Sequence, residues 1–428
     1  MNDATNELTP SEDQSLFASL KIRDYFFLWI SITTSAFAMN MQTVAQGWLV
    51  YEMSASALDL DWVSLAQTIP TIIFSLTGGV IADRFPKKPI IGFSPMINGA
   101  ASLTMAVIVI FGEVTFWDFV WVAFVNGTVM ALAMPSRTAL IPEVVGERLM
   151  FNAMSYNMTA WNLARILGPA LAGFMIAVIA DGDTTSTLGV GLVFFLLSFL
   201  YFVSGITVLF IRHKGGPVDT VRESPLKDVI GGIRYLFESP IVGGLILLTS
   251  ISFIFGSTVN TLLPAFNTDV LSGGPDDLGL LMAGMGLGAI IGSLTVAKMG
   301  SLRRKGYWLL ATVALWGLAL TALAQTGTFL QAMLVISIYG LLSTFAMSMN
   351  RSVVQLQAAR HMRGRIMSFD MMAHGLMPLG LIPIGYISEV VSIEAGLATS
   401  GVLLFISVIL LGFLMPKIRA IDTGFAKN

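Results

Sequence analysis

Apolar runs of about 20 residues, nearly free of charged side chains, recur along the whole chain and restrict its possible folds. A helix of about 20 apolar residues is long enough to cross the roughly 30 Å hydrocarbon core of a bilayer. Hydrophobic residues make up 55% of the 428 residues and charged residues only 12%, whereas about 25% is usual in soluble domains. Because lipid offers an open backbone no hydrogen-bond partners, such runs fold as helices. The sequence therefore predicts an all-α polytopic membrane protein.

Polar or charged segments divide the apolar sequence into twelve runs. Charged residues are costly inside lipid, so these segments mark the places where helices leave the membrane. We name the twelve predicted transmembrane helices spans one to twelve. They cover residues 25–51, 62–82, 89–111, 116–134, 153–180, 187–211, 240–263, 277–298, 306–325, 329–350, 366–388 and 395–415.

Lysine and arginine fall on one side of this predicted membrane layout. Every one of them except Arg165 lies in a terminal segment or in a loop that follows an even-numbered span. The remaining loops carry acids such as Glu52, Asp59 and Asp181. Cytoplasmic loops are enriched in lysine and arginine. We therefore predict an integral protein of the bacterial cytoplasmic (inner) membrane with both termini in the cytoplasm.

The second half of the chain repeats features of the first. Residues 167–174, around Pro169, match residues 379–386, and Arg137 after span four matches Arg351 after span ten. Two six-helix bundles related by an axis along the membrane normal would give such a pattern. The predicted domains are a cytoplasmic tail 1–24, a first bundle 25–211, a cytoplasmic loop with an amphipathic helix 212–239, a second bundle 240–416 and a cytoplasmic tail 417–428.

The loop between spans two and three reads Gly78-Gly79-Val80-Ile81-Ala82-Asp83-Arg84-Phe85-Pro86-Lys87-Lys88. It resembles the loop signature G-x-x-x-D-R-x-x-R/K-R/K of the major facilitator superfamily. Residues 41–52, 135–143 and 164–169 look like one branch of that superfamily, the drug:H⁺ antiporter-3 group, which includes the enterobactin exporter and macrolide efflux proteins. The resemblance implies two pseudo-symmetric six-helix bundles and export of an amphipathic small molecule by alternating access, usually driven by proton entry.

The charged loop has two interpretations. It is either a latch between span two and the opposite bundle, made in one state and broken in another, or a topological anchor with a helix cap. A second predicted gating element is a sliding seam between spans five and eight, where proline bends a helix and glycines admit a close neighbour. Packing without a gating role is its alternative. The gating candidates are Gly79, Asp83, Arg84, Lys87, Lys88, Arg137, Gly168, Pro169, Gly173, Gly284, Gly288 and Gly292.

The resemblance implies a substrate pathway lined by spans one, four, seven and ten. Those spans supply a neutral polar set among many methionines, and this set favours neutral or anionic amphipathic cargo. Arg165 lies in the middle of span five and either contacts an anionic group of the substrate or braces the seam. The predicted cavity residues are Asn40, Thr43, Gln46, Asn126, Arg165, Asn260, Tyr339 and Ser343.

Proton coupling requires a titratable group within the membrane. Asp370 and His374 are four residues apart in span eleven, where a helix would place them on one face, and they are the predicted coupling pair. No carboxylate lies near the middle of any predicted span. A passive facilitator of lipids or small molecules, or a transporter-fold sensor without a driving ion, therefore remains an alternative.

Several other classes are excluded or disfavoured. The chain has no cysteine for disulfides or thiolate metal sites. It also has no Gly-Lys-Ser/Thr phosphate loop for direct use of ATP. The basic residues follow the membrane rule and do not form a nucleic-acid surface. We expect a monomer that is not an enzyme, has no cofactor, uses a proton gradient, and has membrane lipid and an amphipathic small molecule as its partners.

Overall fold

Helices make up most of the described chain, as the long apolar runs require. The computed structural model describes residues 17–180, 187–213, 215, 225–298, 304–359 and 362–421, and no strand occurs within those ranges. The helices are α1 Arg23–Ser54, α2 Ala57–Arg84, α3 Lys87–Phe111, α4 Phe116–Gly146, α5 Asn152–Ile179, α6 Thr187–Leu209, α7 Pro225–Glu238, α8 Pro240–Asp269, α9 Pro275–Lys298, α10 Lys305–Leu323, α11 Phe329–Gln357, α12 Arg363–Met372, α13 Pro378–Val390, α14 Ile393–Leu414 and α15 Pro416–Arg419.

The described ranges contain twelve membrane-length segments, as predicted. In the described part of the chain, 9 helices are long and apolar enough to cross a membrane by themselves. Helices α1 and α2 are equally long but less apolar, because they carry glutamines such as Gln42, Gln46 and Gln67. Together, α12 and α13 form the remaining segment.

Span four is longer than predicted. Helix α4 continues beyond residue 134 to Gly146, where φ 70° and ψ 167° break the helical path before α5 begins. Glycine adopts this conformation readily because it has no Cβ. Two prolines inside the extension, Pro135 and Pro142, do not end the helix. This extension brings Arg137 inside a helix rather than into the loop after it.

Span eleven is not a single helix, which corrects the prediction for residues 366–388. Helix α12 ends at Met372, a 3₁₀ turn covers Ala373–Leu376, and α13 begins at Pro378. Proline has no N–H to donate to the preceding turn, so the α-helical ladder is interrupted there. The side chain of His374 lies outside the described residues, so its pairing with Asp370 stays a prediction.

Within each half of the chain, an equivalent pair of helices packs together in the same way. In the first half α2 packs on α4, and in the second half α9 packs on α11. A Cβ added at Gly127 of α4 would strike the carbonyl oxygen of Gln67, and one added at Gly340 of α11 would strike that of Met285. The repeat seen in sequence thus recurs as the same close helix contact.

The described parts of the two predicted tails pack against the rest of the protein. Ser19 forms hydrogen bonds from its N and Oγ to Asn152 Oδ1, at 3.1 and 2.6 Å. At the other terminus, Ile418 is buried and the carbonyl of Ile421 accepts a hydrogen bond from Gly306 N at 3.0 Å. Residues 1–16 and 422–428 lie outside the described residues.

The predicted amphipathic helix between the bundles is α7. Tyr235 and Leu236 pack against the core of the second half, whereas Phe237 is 85% exposed. Arg234 and Glu238 pair one turn apart at 2.7 Å. An exposed aromatic residue on an amphipathic helix is typical of a segment lying in the interface of a membrane.

Candidate transport cavity

A cavity of about 540 Å³ lies between the two halves of the molecule. Helices α1 to α6 of the first half form most of its wall, and α8 with Met377 of the second half closes the remaining side. Cavities that bind small organic molecules usually measure about 300–1,000 Å³. Its size and its position between the halves make it the candidate substrate site.

Side-chain amides dominate the polar part of the cavity wall. They come from several different helices and have no formal charge. Gln42 Nε2 donates to Gln46 Oε1 at 3.1 Å, but the buried Oδ1 atoms of Asn98 and Asn126 have no hydrogen-bond partner among the described residues. The amide residues of the wall are Gln42, Gln46, Gln67, Asn98, Asn126 and Asn260.

Arg137 is the charged residue of the described cavity wall. Its Nη2 donates to Ser35 Oγ at 3.2 Å, and Ser35 in turn pairs with Ser204 at 2.7 Å. Its Nε has no hydrogen-bond partner. The described residues of the wall include no aspartate or glutamate. The cavity therefore has a positive charge without a facing carboxylate.

Four residues predicted for the cavity line it: Thr43, Gln46, Asn126 and Asn260. They lie on α1, α4 and α8, which correspond to spans one, four and seven. Their contact with substrate stays a prediction.

The two residues predicted from span ten do not line this cavity. Tyr339 is buried in the second half, donates its hydroxyl hydrogen to Gly256 O at 2.7 Å, and packs edge-on against Trp316. A π-helical segment, Ser252–Gly256 of α8, provides the accepting carbonyl. Ser343 donates to Gly340 O at 3.1 Å in its own helix. This face of α11 instead packs against the core of the second half.

Asn40 and Arg165 also lie elsewhere. Asn40 Nδ2 donates to Ala36 O at 2.8 Å, and its Cβ packs close to Gly168. Arg165 Nη2 donates to Asn162 Oδ1 at 3.1 Å, one turn earlier in α5. The Arg165 backbone carbonyl faces Gly286 of α9. Arg165 thus lies at the junction of the halves and not in the cavity wall.

We use two terms for the ends of the bundle. The basic end contains the start of α1 and the loop between α2 and α3, whereas the acidic end contains the end of α1 and the start of α2. Polar contacts join the halves at the acidic end. Tyr51 Oη donates to Asp269 Oδ2 at 2.5 Å, and Ala57 N donates to Glu389 Oε2 at 2.9 Å. The Glu389 carboxylate also lies at the N-terminus of α2, where negative charge is favourable.

Asp61 is buried in the same joint. Its side chain is 2% exposed, and neither carboxyl oxygen has a hydrogen-bond partner among the described residues. Oδ2 lies where a Cβ at Gly385 of α13 would stand, so glycine is required for this contact. The predicted span two started at residue 62, but α2 starts at Ala57. The earlier helix start moves this carboxyl from a span end into the helix packing.

On α9, the glycines that meet α5 at the seam differ from those that the sequence suggested. A Cβ at Gly173 would strike Pro275 O, and one at Gly279 would lie 2.6 Å from Pro169 O. Deeper in the bundle, a Cβ at Gly286 would lie 2.8 Å from Ile166 Cγ1. Pro169 and Gly173 are thus at the seam, as expected.

The predicted row of span eight faces the wrong helix for a seam with span five. Gly284, Gly288 and Gly292 approach α11 of the same half, and a Cβ at Gly288 would strike Ser337 O. Gly168 likewise packs on α1 within its own half. Four-residue spacing places glycines on one helix face, but it does not say which neighbour that face meets.

The lysines of the charged loop bind within the first half. Lys87 is fully buried, and its Nζ lies 2.8 Å from Glu143 Oε1 on α4. Lys88 Nζ donates to Ile211 O at 2.6 Å, which ties α3 to the end of α6. These contacts match the anchoring interpretation for both lysines. The side chains of Asp83 and Arg84, and Gly79 beside them, lie outside the described residues.

Asp370 lies in a polar cluster of the second half. Its Oδ2 accepts from Arg351 Nε at 3.0 Å, and its Oδ1 accepts from Thr249 Oγ1 at 3.1 Å. Asn350 donates to the same Thr249 Oγ1 at 2.6 Å. These contacts tie α12 to α11 and α8 within the second half. The side chain of His374 lies outside the described residues.

Sequence reasoning missed several wall residues. Gln42, Gln67 and Asn98 lie on spans one, two and three, two of which were not considered as pathway helices. For α1 a signal was available, because Ser35, Gln42 and Gln46 follow a helical spacing and place polar side chains along one stripe of the helix. Asn98 carries no such pattern, and only the packing of α3 shows its position.

Two pseudo-symmetric helical bundles with a cavity between them define a transporter of the major facilitator superfamily. The family model described as "Transmembrane secretion effector" matches residues 14–426. The chain belongs to this family. It is an integral membrane transporter and not an enzyme.

Relatives and solved structures agree with this class. The chain is 25% identical to the multidrug efflux pump Tap of Mycolicibacterium fortuitum over 414 residues, which cover 92% of this chain and 96% of Tap. It is 26% identical to the enterobactin exporter EntS of Shigella boydii, over 68% of this chain and 67% of EntS. The crystal structure of the nucleoside transporter NupG superposes with a TM-score of 0.70 at 15% identity, covering 92% of this chain and 98% of NupG.

Proposed function

We propose that this transporter exports an amphipathic small molecule from the cytoplasm by alternating access coupled to proton entry. The observations that support this best are the cavity between the halves and the described interhalf contacts at the acidic end. Separation of those contacts would open the same cavity toward the acidic end. The names of Tap and EntS, an efflux pump and an exporter, support the direction.

The distribution of lysine and arginine supports the topology in this proposal. With the basic end in the cytoplasm, the contacts of Tyr51, Ala57 and Asp61 close the outer side. The state described here is then closed to the outside, and cargo would enter the cavity from the cytoplasm.

Asp61 is the group that we propose for the coupling proton. A carboxylate buried without a cation or a donor is costly, so the joint between α2 and α13 favours the neutral acid. The protonated form would keep the outer side closed, and loss of the proton would favour its opening. Leu60 and Ser64, which neighbour Asp61 on α2, line the cavity, so Asp61 lies close to the cavity wall.

Other titratable groups around Asp61 have their own partners or lie toward solvent. On α13 and α8, Glu389 and Asp269 accept hydrogen bonds from Ala57 N and Tyr51. On α4, Asp118 accepts from Thr115. Glu52 of α1 is exposed and Asp59 of α2 is partly exposed. His374 lies in the turn before α13, and its side chain is outside the described residues.

Transport by inside-out vesicles tests the proposal. With enterobactin, erythromycin and dansyl amide as cargoes, we expect accumulation when the vesicle lumen is acidic and collapse when a protonophore is added. Vesicles without the protein are the control. Equilibration that ignores the pH gradient would instead indicate a passive facilitator.

A further inference from the structure

Arg137 has an unusual environment for a membrane cation. Its guanidinium lies in the wall of the cavity, its Nε has no hydrogen-bond partner, and its Nη2 reaches only a neutral hydroxyl, Ser35 Oγ, at 3.2 Å. Moving a charge out of water without a counter-ion is energetically costly. An anion in the cavity would compensate that cost.

The repeat provides an internal comparison. Arg351, the residue that matches Arg137 in the second half, pairs with Asp370 at 3.0 Å. No described carboxylate pairs with Arg137, and none lines the cavity beside it. The two arginines therefore differ in their counter-ion. Arg351 pairs with a carboxylate of the protein, whereas Arg137 is open toward the cavity.

The surroundings of Arg137 fit an anion attached to an apolar body. Asn98 and Tyr201 add polar atoms to the wall, while Met130, Met134 and Trp161 add apolar and polarisable surface. Methionine adapts to ligands of different shape. A guanidinium donates two parallel hydrogen bonds to a carboxylate or a similar pair of oxygens.

We infer that Arg137 is the anion-binding residue of this cavity and that the cargo is an organic anion, such as a carboxylate, with an apolar or aromatic body. The inference deepens the proposed function and rests on it only in calling the bound molecule cargo. Binding itself can be measured without transport.

A matched set of fluorescent probes tests the inference. Dansylglycine, dansyl amide and dansylcadaverine share one fluorophore and are anionic, neutral and cationic. In phosphatidylcholine nanodiscs we expect dansylglycine to bind at least about tenfold more tightly than the other two, the effect of one charge-assisted hydrogen bond. Equal affinity for the three probes would overturn the inference.

Variants assign the preference to one side chain. Arg137→Gln should remove the preference for dansylglycine and leave dansyl amide binding unchanged, while Arg137→Lys should keep part of it. Arg351→Gln, which removes the matching arginine outside the cavity, is the control and should keep the full preference. If Arg137→Gln does not fold, Arg137→Lys still decides, because an unchanged preference for dansylglycine in that variant would contradict bidentate binding by a guanidinium.

Two further comparisons separate the possible sources and the possible failures. If phosphatidylglycerol in the nanodiscs displaces dansylglycine, the anion site stands and a lipid headgroup is one of its ligands; without displacement, the site prefers soluble anions. Gradient-driven transport of dansyl amide together with no anion preference would leave the proposed function intact and reject only this inference. Arg137-dependent binding without any transport would support the anion site and reject the proposed function.

Discussion

Asp61 and Arg137 are ionisable residues within membrane-spanning helices, where ionisable residues are rare. Asp61 lies in the joint between the halves, and Arg137 lies in the cavity wall. Neither has an ion-pair partner among the described residues. Charges in such positions are costly and usually functional. We assign the coupling proton to Asp61 and cargo binding to Arg137.

Replacing Asp61 by asparagine should uncouple transport. Asparagine imitates the protonated carboxyl in shape but cannot release a proton, so the outer side should remain closed at any pH. For exchange of one proton, a gradient of one pH unit supports about a tenfold cargo gradient. We expect Asp61→Asn vesicles to lose that accumulation and to hold no more cargo than vesicles without the protein, while still binding the dansyl probes with wild-type affinity.

Asp59→Asn is the matched control, because it removes a carboxyl from a partly exposed position of the same helix. Its accumulation should equal that of the wild type. Full gradient-driven accumulation by Asp61→Asn would show that the coupling proton is bound by another group.

Glycines separate the contacts that move from those that hold each half. Gly279 packs on α5 across the seam, whereas Gly288 packs on α11 within the second half. In both places another helix's carbonyl takes the room of a Cβ, so an added methyl group forces the helices apart. The consequence differs, because only the seam has to separate during transport.

Gly279→Ala should therefore favour the outward-open state with little loss of stability, and Gly288→Ala should destabilise the fold by about 1–3 kcal/mol. Thermal unfolding measures the second effect. Labelling of an introduced cysteine at Tyr51 by a membrane-impermeant maleimide from the outside measures the first. A large loss of thermal stability in Gly279→Ala without increased labelling would contradict the assignment of the seam.

The positions of most helices along the chain could be predicted from the sequence, but the helices against which each one packs could not. Twelve apolar runs and segregated cations are consequences of lipid solvation, so they can be read from one sequence. The contact of Gly288 with α11 depends on helix rotation, which local spacing leaves undetermined. The break before Pro378 was missed because the surrounding residues are apolar enough to continue a span. The unpaired state of Arg137 is a property of packing and has no local signal.

At the scale of the whole molecule, the internal repeat accounts for both the architecture and its asymmetry. Gly127 and Gly340 make the same close contact in each half. Arg137 and Arg351 occupy matching positions in sequence, yet among the described residues only Arg351 pairs with a carboxylate. A symmetric scaffold thus has an asymmetric binding wall, formed mainly by the first half and closed by α8.

The central claim is that the two halves rock about this cavity, and distances between spin labels test it directly. The natural chain has no cysteine, so label pairs can be introduced without removing any. One pair, at Glu113 and Val391, reports the acidic end, and the other, at Phe85 and Gln355, reports the basic end; all four positions are exposed. When the pH is raised, we predict that the first distance lengthens while the second shortens, and that Asp61→Asn abolishes both changes. Distances that change in the same direction at both ends, or that do not respond to pH or to dansylglycine, would contradict the account.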